Sequence, residues 1–303
     1  DDAIVQLDDV FTAGDAKYEA NTFLKSLGRT NLPLLAIAVD RQEVAIDSRE
    51  AIAEYQEKTG TRVVSVVNAI DIFDVLKNDK SGKIVKSILS FASPKKSVID
   101  IGCAVGKWMP VLAPVFGKVH AIDISNNNLK IAAKKYTKFS NISYERVDMS
   151  AASIKTKKYD AAICINAILT SSLKKRNLFF KHMASFLKKG GDLVLVVPSL
   201  ESKLFSHIIA HKYNVDDAKN DKPPSGKRAI SQMQFIKEGV TDIDDVPTKH
   251  FLKEELELLL NLEGFMVEKI EKINYPWTTE FHQPPRWLKT PQPWDWMVKA
   301  KKK

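Results

Sequence analysis

VIDIGCAVGKW at residues 98–108, followed by AIDIS at 121–125, decides the fold of this chain of 303 residues. The apolar and β-branched residues around Ile99 read as a buried parallel strand. Gly102 and Gly106 stand where that strand turns into a helix; glycine there allows positive φ and lets the backbone come close to a ligand. After a helical stretch containing Pro110 to Phe116, a second short strand, VHAID, ends in Asp123. A carboxylate about twenty residues after a glycine turn can accept hydrogen bonds from both hydroxyls of a ribose. The unit therefore reads as a nucleoside-binding βαβ.

Two ligands compete for it. A dinucleotide site wants G-x-G-x-x-G with a helix N-terminus free to hold pyrophosphate. Here the spacing is D-x-G-x-x-x-G, from Asp100 to Gly106. An acid beside the loop repels pyrophosphate but suits the cationic amino acid end of S-adenosylmethionine.

At these residues the chain resembles the class I S-adenosylmethionine-dependent methyltransferases, in the broad set acting on small molecules. The match continues in order: DIGCAVG as the first motif, Asp123 as the ribose acid, VDMS at 147–150 as the adenine-edge motif, YDAAICINAIL at 159–169 as the fourth strand, and LKKGGDLVLVVP at 187–198 as the turn and fifth strand. The family usually has Gly where this chain has Ala104. The resemblance implies S-adenosyl-L-methionine as cofactor. Asp100, Gly102, Ala104 and Gly106 would then lie at its methionine end, Asp123 with Ile124 at its ribose, Asp148 and Met149 at its adenine, and Asn166 beneath its methyl group. It also implies an α/β fold with a Rossmann-like seven-stranded sheet over residues 80–303. In that plan TKHFLKEELELLLNL at 248–262 is a helix with apolar spacing, Gly264 caps it, FMVEKIEKI is the edge strand, and PWDWMVKAKK forms the final strand.

Methyl transfer from a sulfonium is a direct displacement, so the protein mainly aligns donor and acceptor and excludes water. Sequence then marks cofactor residues and leaves the catalytic ones unassigned. The fourth strand lacks the N/D-P-P-Y/F pattern of amino-group methyltransferases acting on bases or glutamine amides, which lowers those acceptors and leaves other nitrogen, oxygen or carbon acceptors open. Residues 200–245, rich in charge and carrying KPPSGK, read as an insertion that in this family often builds the acceptor pocket; Tyr213, Arg228, Gln232 and Gln234 are candidates for substrate contact. Four of the five tryptophans fall in the last 27 residues, among several prolines. An aromatic strap over the sheet and a substrate lid are both open readings of that segment.

Residues 1–79 follow another pattern. AIVQLDDVFTAGDA at 3–16 reads as a strand, two acids and a Thr-Ala-Gly turn opening a helix, where backbone N–H groups and a hydroxyl can hold phosphate. With LLAIAVDRQE at 34–43, a helix through AIAEYQEKTG at 51–60, the strand RVVSVVNAID at 62–71 and a closing helix IFDVLKN, it resembles the C-terminal half of the orotate phosphoribosyltransferases. That likeness implies a phosphoribosyl pyrophosphate loop at Asp8, Asp9, Thr12, Ala13, Gly14 and Ala16, an orotate contact at Thr12 and Arg41, and Mg²⁺ only if the segment is active. Only half of the family's fold is matched, and Asp15 stands where the family places a small hydroxyl residue, facing the incoming phosphate. Phosphoribosyl transfer is therefore not expected of this chain alone. The alternative is a bifunctional orotate phosphoribosyltransferase–methyltransferase of pyrimidine nucleotide synthesis, of which this chain would be a fragment; a second alternative is a ligand-binding or interaction module without catalysis. A half-sheet presents an unpaired edge, which predicts a homodimer through this segment unless something covers it.

Composition is that of a globular protein, with 44% hydrophobic and 27% charged residues. No apolar run approaches the ~20 residues of a membrane span and no secretory leader is visible, so a cytoplasmic location is expected. Cys103 and Cys164 fall on buried strand ends and read as packing residues rather than a disulfide or metal pair. Among six histidines only His207 and His211 have a helical i, i+4 spacing, without an accompanying acid, so no metal is expected. The net charge of +9 is spread over lysine-rich helix faces. A nucleic-acid partner is the less favoured reading, because no RNA-binding signature accompanies the charge.

Overall fold

The computed structural model describes residues 2–11, 15–40, 51–68, 82–213, 215, 238–243 and 246–303. The chain divides into two units, Asp1–Asn78 and Asp79–Lys303.

In unit 1 three strands, β1 (Val5–Phe11), β2 (Leu34–Asp40) and β3 (Arg62–Asn68), form a parallel sheet in the order β1-β2-β3. Parallel neighbours need a crossover, and the helices Asp15–Ser26 and Ala51–Thr59 supply it. Leu35, Ile37, Ala51 and Tyr55 form the core, with Tyr18 and Val63 packed against it. Asn21 Nδ2 donates to Thr61 Oγ1 at 3.1 Å inside it. Val5, Leu7, Phe23 and Leu27 remain exposed.

Unit 2 is built on seven strands: β4 (Ser97–Ile101), β5 (Lys118–Asp123), β6 (Ile142–Arg146), β7 (Tyr159–Ile165), β8 (Leu187–Pro198), β11 (Phe265–Asn274) and β12 (Trp294–Lys302). Their order is β11-β12-β8-β7-β4-β5-β6. β4 to β8 run parallel, and β12 lies antiparallel between β8 and β11. This mostly parallel seven-stranded sheet is the fold the sequence implies. Its central strands are apolar on both sides because both faces are covered. Val98, Ala161, Ile163, Val194 and Val196 pack toward the helices Lys83–Leu89, Met109–Leu112 and Asn126–Lys135. Ile99, Ala162, Cys164, Leu193 and Leu195 pack toward Leu173–Ser185 and Lys253–Leu262.

One feature differs from the sequence reading, and one settles between two open readings. The helix expected over 248–262 begins at Lys253, and a two-stranded antiparallel ribbon precedes it, β9 (Val240–Ile243) with β10 (Val246–Lys249). The backbone donors before Lys253 are engaged across the chain: Lys249 N–H with Leu169 O, His250 N–H with Gly239 O and Phe251 N–H with Pro198 O, at 2.7–2.9 Å. They are unavailable to a helical turn. The aromatic tail is a packed strap in its first part: Trp277, Phe281 and Leu288 bury against Val215, Phe205 and Ile209.

The chain order reverses between β4 and β7. Crossovers leave in opposite directions from the carboxyl ends of these neighbours, opening a crevice at that edge.

Candidate functional site

The wall of the crevice begins at the turn after β4. Gly102 and Cys103 both donate their N–H to Ile122 O, at 2.8 and 3.0 Å, which ties the turn to β5. Gly102 has φ 73°, and a Cβ built there would stand 2.4 Å from the Cβ of Ala167 in the turn after β7. Only hydrogen fits where these two turns meet. Gly106 serves packing instead: a Cβ there would approach the Tyr136 ring at 2.7 Å.

Between them Ala104 holds φ 46°, a left-handed conformation that costs an L-residue roughly 1–2 kcal/mol. Its N–H donates to Asp123 Oδ2 at 2.8 Å, and Ser125 N–H donates to Asp123 Oδ1 at 2.9 Å. Asp123 thus clamps the turn from the end of β5. Each of its oxygens keeps a further lone pair for a ligand.

Asp100 lies below the turn, 1% exposed, and its Oδ2 has no hydrogen-bond partner among the described residues. Burial, with a smaller contribution from Asp123, pushes its carboxyl up to about 7. A buried acid of this kind favours a cationic group that would stabilise its ionised form.

On the far side, Asp148 Oδ1 accepts from Ser150 N–H at 2.8 Å and Ser150 Oγ–H at 2.7 Å, which hold its carboxyl below the usual carboxylate range. His182 Nδ1 lies 3.0 Å from Met149 O and fixes the next residue. After β7, Asn166 adopts φ 50°, a region asparagine tolerates better than most residues. Its Nδ2 donates to Asp295 Oδ2 on β12 at 3.1 Å.

A cavity of about 380 Å³ opens among these groups. Of the nine residues expected at a cofactor, Gly102, Ala104, Asp123, Ile124, Asp148, Met149 and Asn166 line it; Asp100 and Gly106 do not. Ser150, Thr170, Lys175 and Phe179 also line it and were not legible as site residues. Lys175 and Phe179 stand one helical turn apart on Leu173–Ser185, a spacing that puts both on one face.

Residues 98–191 match a family model described as a methyltransferase domain. The match to a methyltransferase domain lies within unit 2. A solved structure from Listeria monocytogenes, provisionally described as an S-adenosylmethionine dependent methyltransferase, shares the fold at 18% identity and TM-score 0.50, over 75% of this chain and 98% of that one. For the N-terminal segment, orotate phosphoribosyltransferase of Legionella pneumophila (strain Paris) is 36% identical over 87 residues, 29% of this chain and 40% of the relative. The enzyme of the same name from Clostridium acetobutylicum is 32% identical over 85 residues, 28% and 38% of the two chains. The chain therefore spans about 40% of the length of these curated relatives.

Outside the cavity the predicted residues are not assembled into a described site. Asp8 pairs with Lys17 at 2.7 Å and Ala16 is exposed on the first helix. The side chain of Asp9, and Thr12, Ala13, Gly14 and Arg41, lie outside the described residues, as do Arg228, Gln232 and Gln234. Tyr213 is exposed and meets Trp287 edge-on at 4.8 Å. Among the described residues no group of three His, Cys, Asp or Glu side chains could hold a metal ion; the His211 side chain lies outside them. Cys103 and Cys164 are free, and burial pushes both thiols up, away from thiolate reactivity. No described helix is long and apolar enough to cross a membrane.

Proposed function

We propose that unit 2 binds S-adenosylmethionine in the cavity at the carboxyl edge of β4 and β7 and transfers its methyl group to a small-molecule acceptor. One observation carries the reading: the unpartnered Asp100 oxygen lies beneath a turn whose other side is clamped by Asp123. These residues suit a ligand with a cationic amino acid end and a ribose. Asp100 would attract the ammonium by its charge from beneath the turn. Asp123 would use its remaining lone pairs on the ribose hydroxyls, and Met149 with Phe179 would cover the adenine, whose edge meets Asp148. When bound, S-adenosylmethionine supplies an electrophilic methyl carbon on a sulfonium. The chain's own part is to fix that carbon against the acceptor and keep water away. Lysine-rich surfaces and a cytosolic setting are not needed for this reading.

Isothermal titration of the chain with S-adenosylhomocysteine tests it. Micromolar binding that is lost in Asp123→Ala supports the reading, and absence of binding by the folded wild type overturns it. The same titration with S-adenosylmethionine and a trial acceptor, followed by mass spectrometry for a gain of one methyl group, tests the transfer.

A further inference from the structure

The carboxyl edge of the sheet holds one more group with the makings of chemistry, on the acceptor side of Asn166. Asp295 is the second residue of β12 and pairs in register with Pro198 at the end of β8. Its side chain crosses the end of β8 to meet the Asn166 amide at 3.1 Å, and Asn166 lines the cavity. Asp295 is thus one hydrogen bond away from the cavity.

Resting on the methyltransferase reading, we propose that Asp295 is the proton acceptor for the methyl acceptor, with Asn166 as its positioning partner, and that the acceptor is an amine. The amide geometry supports this. With Nδ2 committed to Asp295, Asn166 presents its Oδ1 as an acceptor toward a donor N–H in the cavity. The local charge supports it as well. Glu280 faces the same carboxyl, Tyr275 O–H donates to Glu280 Oε1 at 3.0 Å, and Lys203 lies 3.7 Å from Glu280 Oε2. Two acids against one cation draw an ammonium toward this corner. Burial first, then Glu280, lifts the Asp295 carboxyl to about 7, while the Asn166 hydrogen bond opposes the rise. A base of that strength is matched to neutral pH.

The step balances. Through one bridging water Asp295 takes one proton from the arriving ammonium and frees the nitrogen lone pair. The lone pair forms the N–C bond as the S–C bond breaks, its electron pair staying on sulfur. Asp295 then returns its proton to water, and the N-methylated ammonium leaves. A hydroxyl is too weak an acid for a carboxylate to deprotonate in this way.

The test uses the full chain loaded with S-adenosylhomocysteine and two matched probe pairs, benzylamine with benzyl alcohol and hexylamine with hexanol, titrated by ligand-observed NMR from pH 6 to 8.5. Both amines should bind more tightly than their alcohols, with an inflection near pH 7. Asp295→Asn should weaken amine binding about tenfold, the size of one lost charged hydrogen bond, and abolish the inflection. Asn166→Ala should weaken it while leaving the inflection. The S-adenosylhomocysteine affinity of Asp295→Asn should equal that of the wild type, which separates the acceptor role from a folding defect. Alcohols binding as well as amines, amines failing to bind, or Asp295→Asn behaving as wild type would overturn the proposal while leaving the cofactor reading intact. Failure of S-adenosylhomocysteine to bind the wild type would sink both.

Discussion

On the proposed reading, Asp100 serves binding at the expense of folding. Its pKa is lifted from 3.8 to about 7, so between these values the folded state keeps a proton that the unfolded state has lost. Stability contributed by that proton is present at low pH, declines as pH rises from about 4 to about 7, and is flat above. Asp100→Asn carries no such penalty. Thermal melts should show the variant gaining on the wild type across that window and keeping a constant lead at higher pH, while its affinity for S-adenosylhomocysteine falls at least tenfold. A lead that does not change with pH would refute the assignment. At the neighbouring turn, Gly102→Ala would force two Cβ atoms to 2.4 Å in a left-handed conformation. It should cost roughly 2–4 kcal/mol in chemical denaturation and close the mouth of the cavity. Seven of the residues that line the cavity were legible because glycines and strand-end acids have few other uses in such a βαβ. Asp295 was not, because it lies 129 residues from Asn166 and only the sheet order brings them together.

At the level of elements, the ribbon before Lys253 depends on an ion pair within the fold. Lys249 has a side chain only 3% exposed and meets Glu255 at 2.6 Å, and it also donates to Glu238 O at 2.9 Å. Burial lowers the Lys249 pKa, while Glu255 opposes this. Glu255→Gln leaves that ammonium without its counter-charge while keeping a group that can accept from Leu252 N–H. It should destabilise unit 2 by about 2 kcal/mol, because a buried charge without its partner costs more than the pair contributes. For a domain of this size that is a fall in Tm of about 4–8 °C in calorimetry. The ribbon was hidden in the sequence because helical apolar spacing from Phe251 onward continues smoothly back through Thr248. What breaks the helix is remote: Leu169, Pro198 and Gly239 supply the carbonyls.

Across the whole molecule, the surface of unit 1 departs most from that of a soluble monomer. Leu7 is 82% and Phe23 63% exposed, and both line a cavity with Leu24 and Leu35. Exposed apolar groups beside an open sheet edge favour association. Light scattering should find the molar mass rising with concentration, and Leu7→Lys with Phe23→Ser should reduce that rise without altering S-adenosylhomocysteine binding. The seven-stranded sheet was legible from the family-like succession of motifs. Unit 1 was legible only as an outline, since a motif read from half a fold carries no information about what completes it.

The position of β12 also bears on how the protein is made. It is the last strand in chain order, yet it sits inside the sheet, hydrogen-bonded to β8 on one side and β11 on the other. During synthesis β8 and β11 leave the ribosome with a vacant slot between them. At about 5–20 residues per second, the roughly twenty residues between β11 and β12 leave that slot open for about 1–4 s, after β8 has already waited for some seconds with a bare edge. A nascent chain in this state exposes two strand edges, which invites both chaperone capture and mispairing. A stop codon upstream of Trp294 would leave β11 without a neighbour, and the abundance of such a product in cells would be set by proteolysis rather than by the stability of what remains.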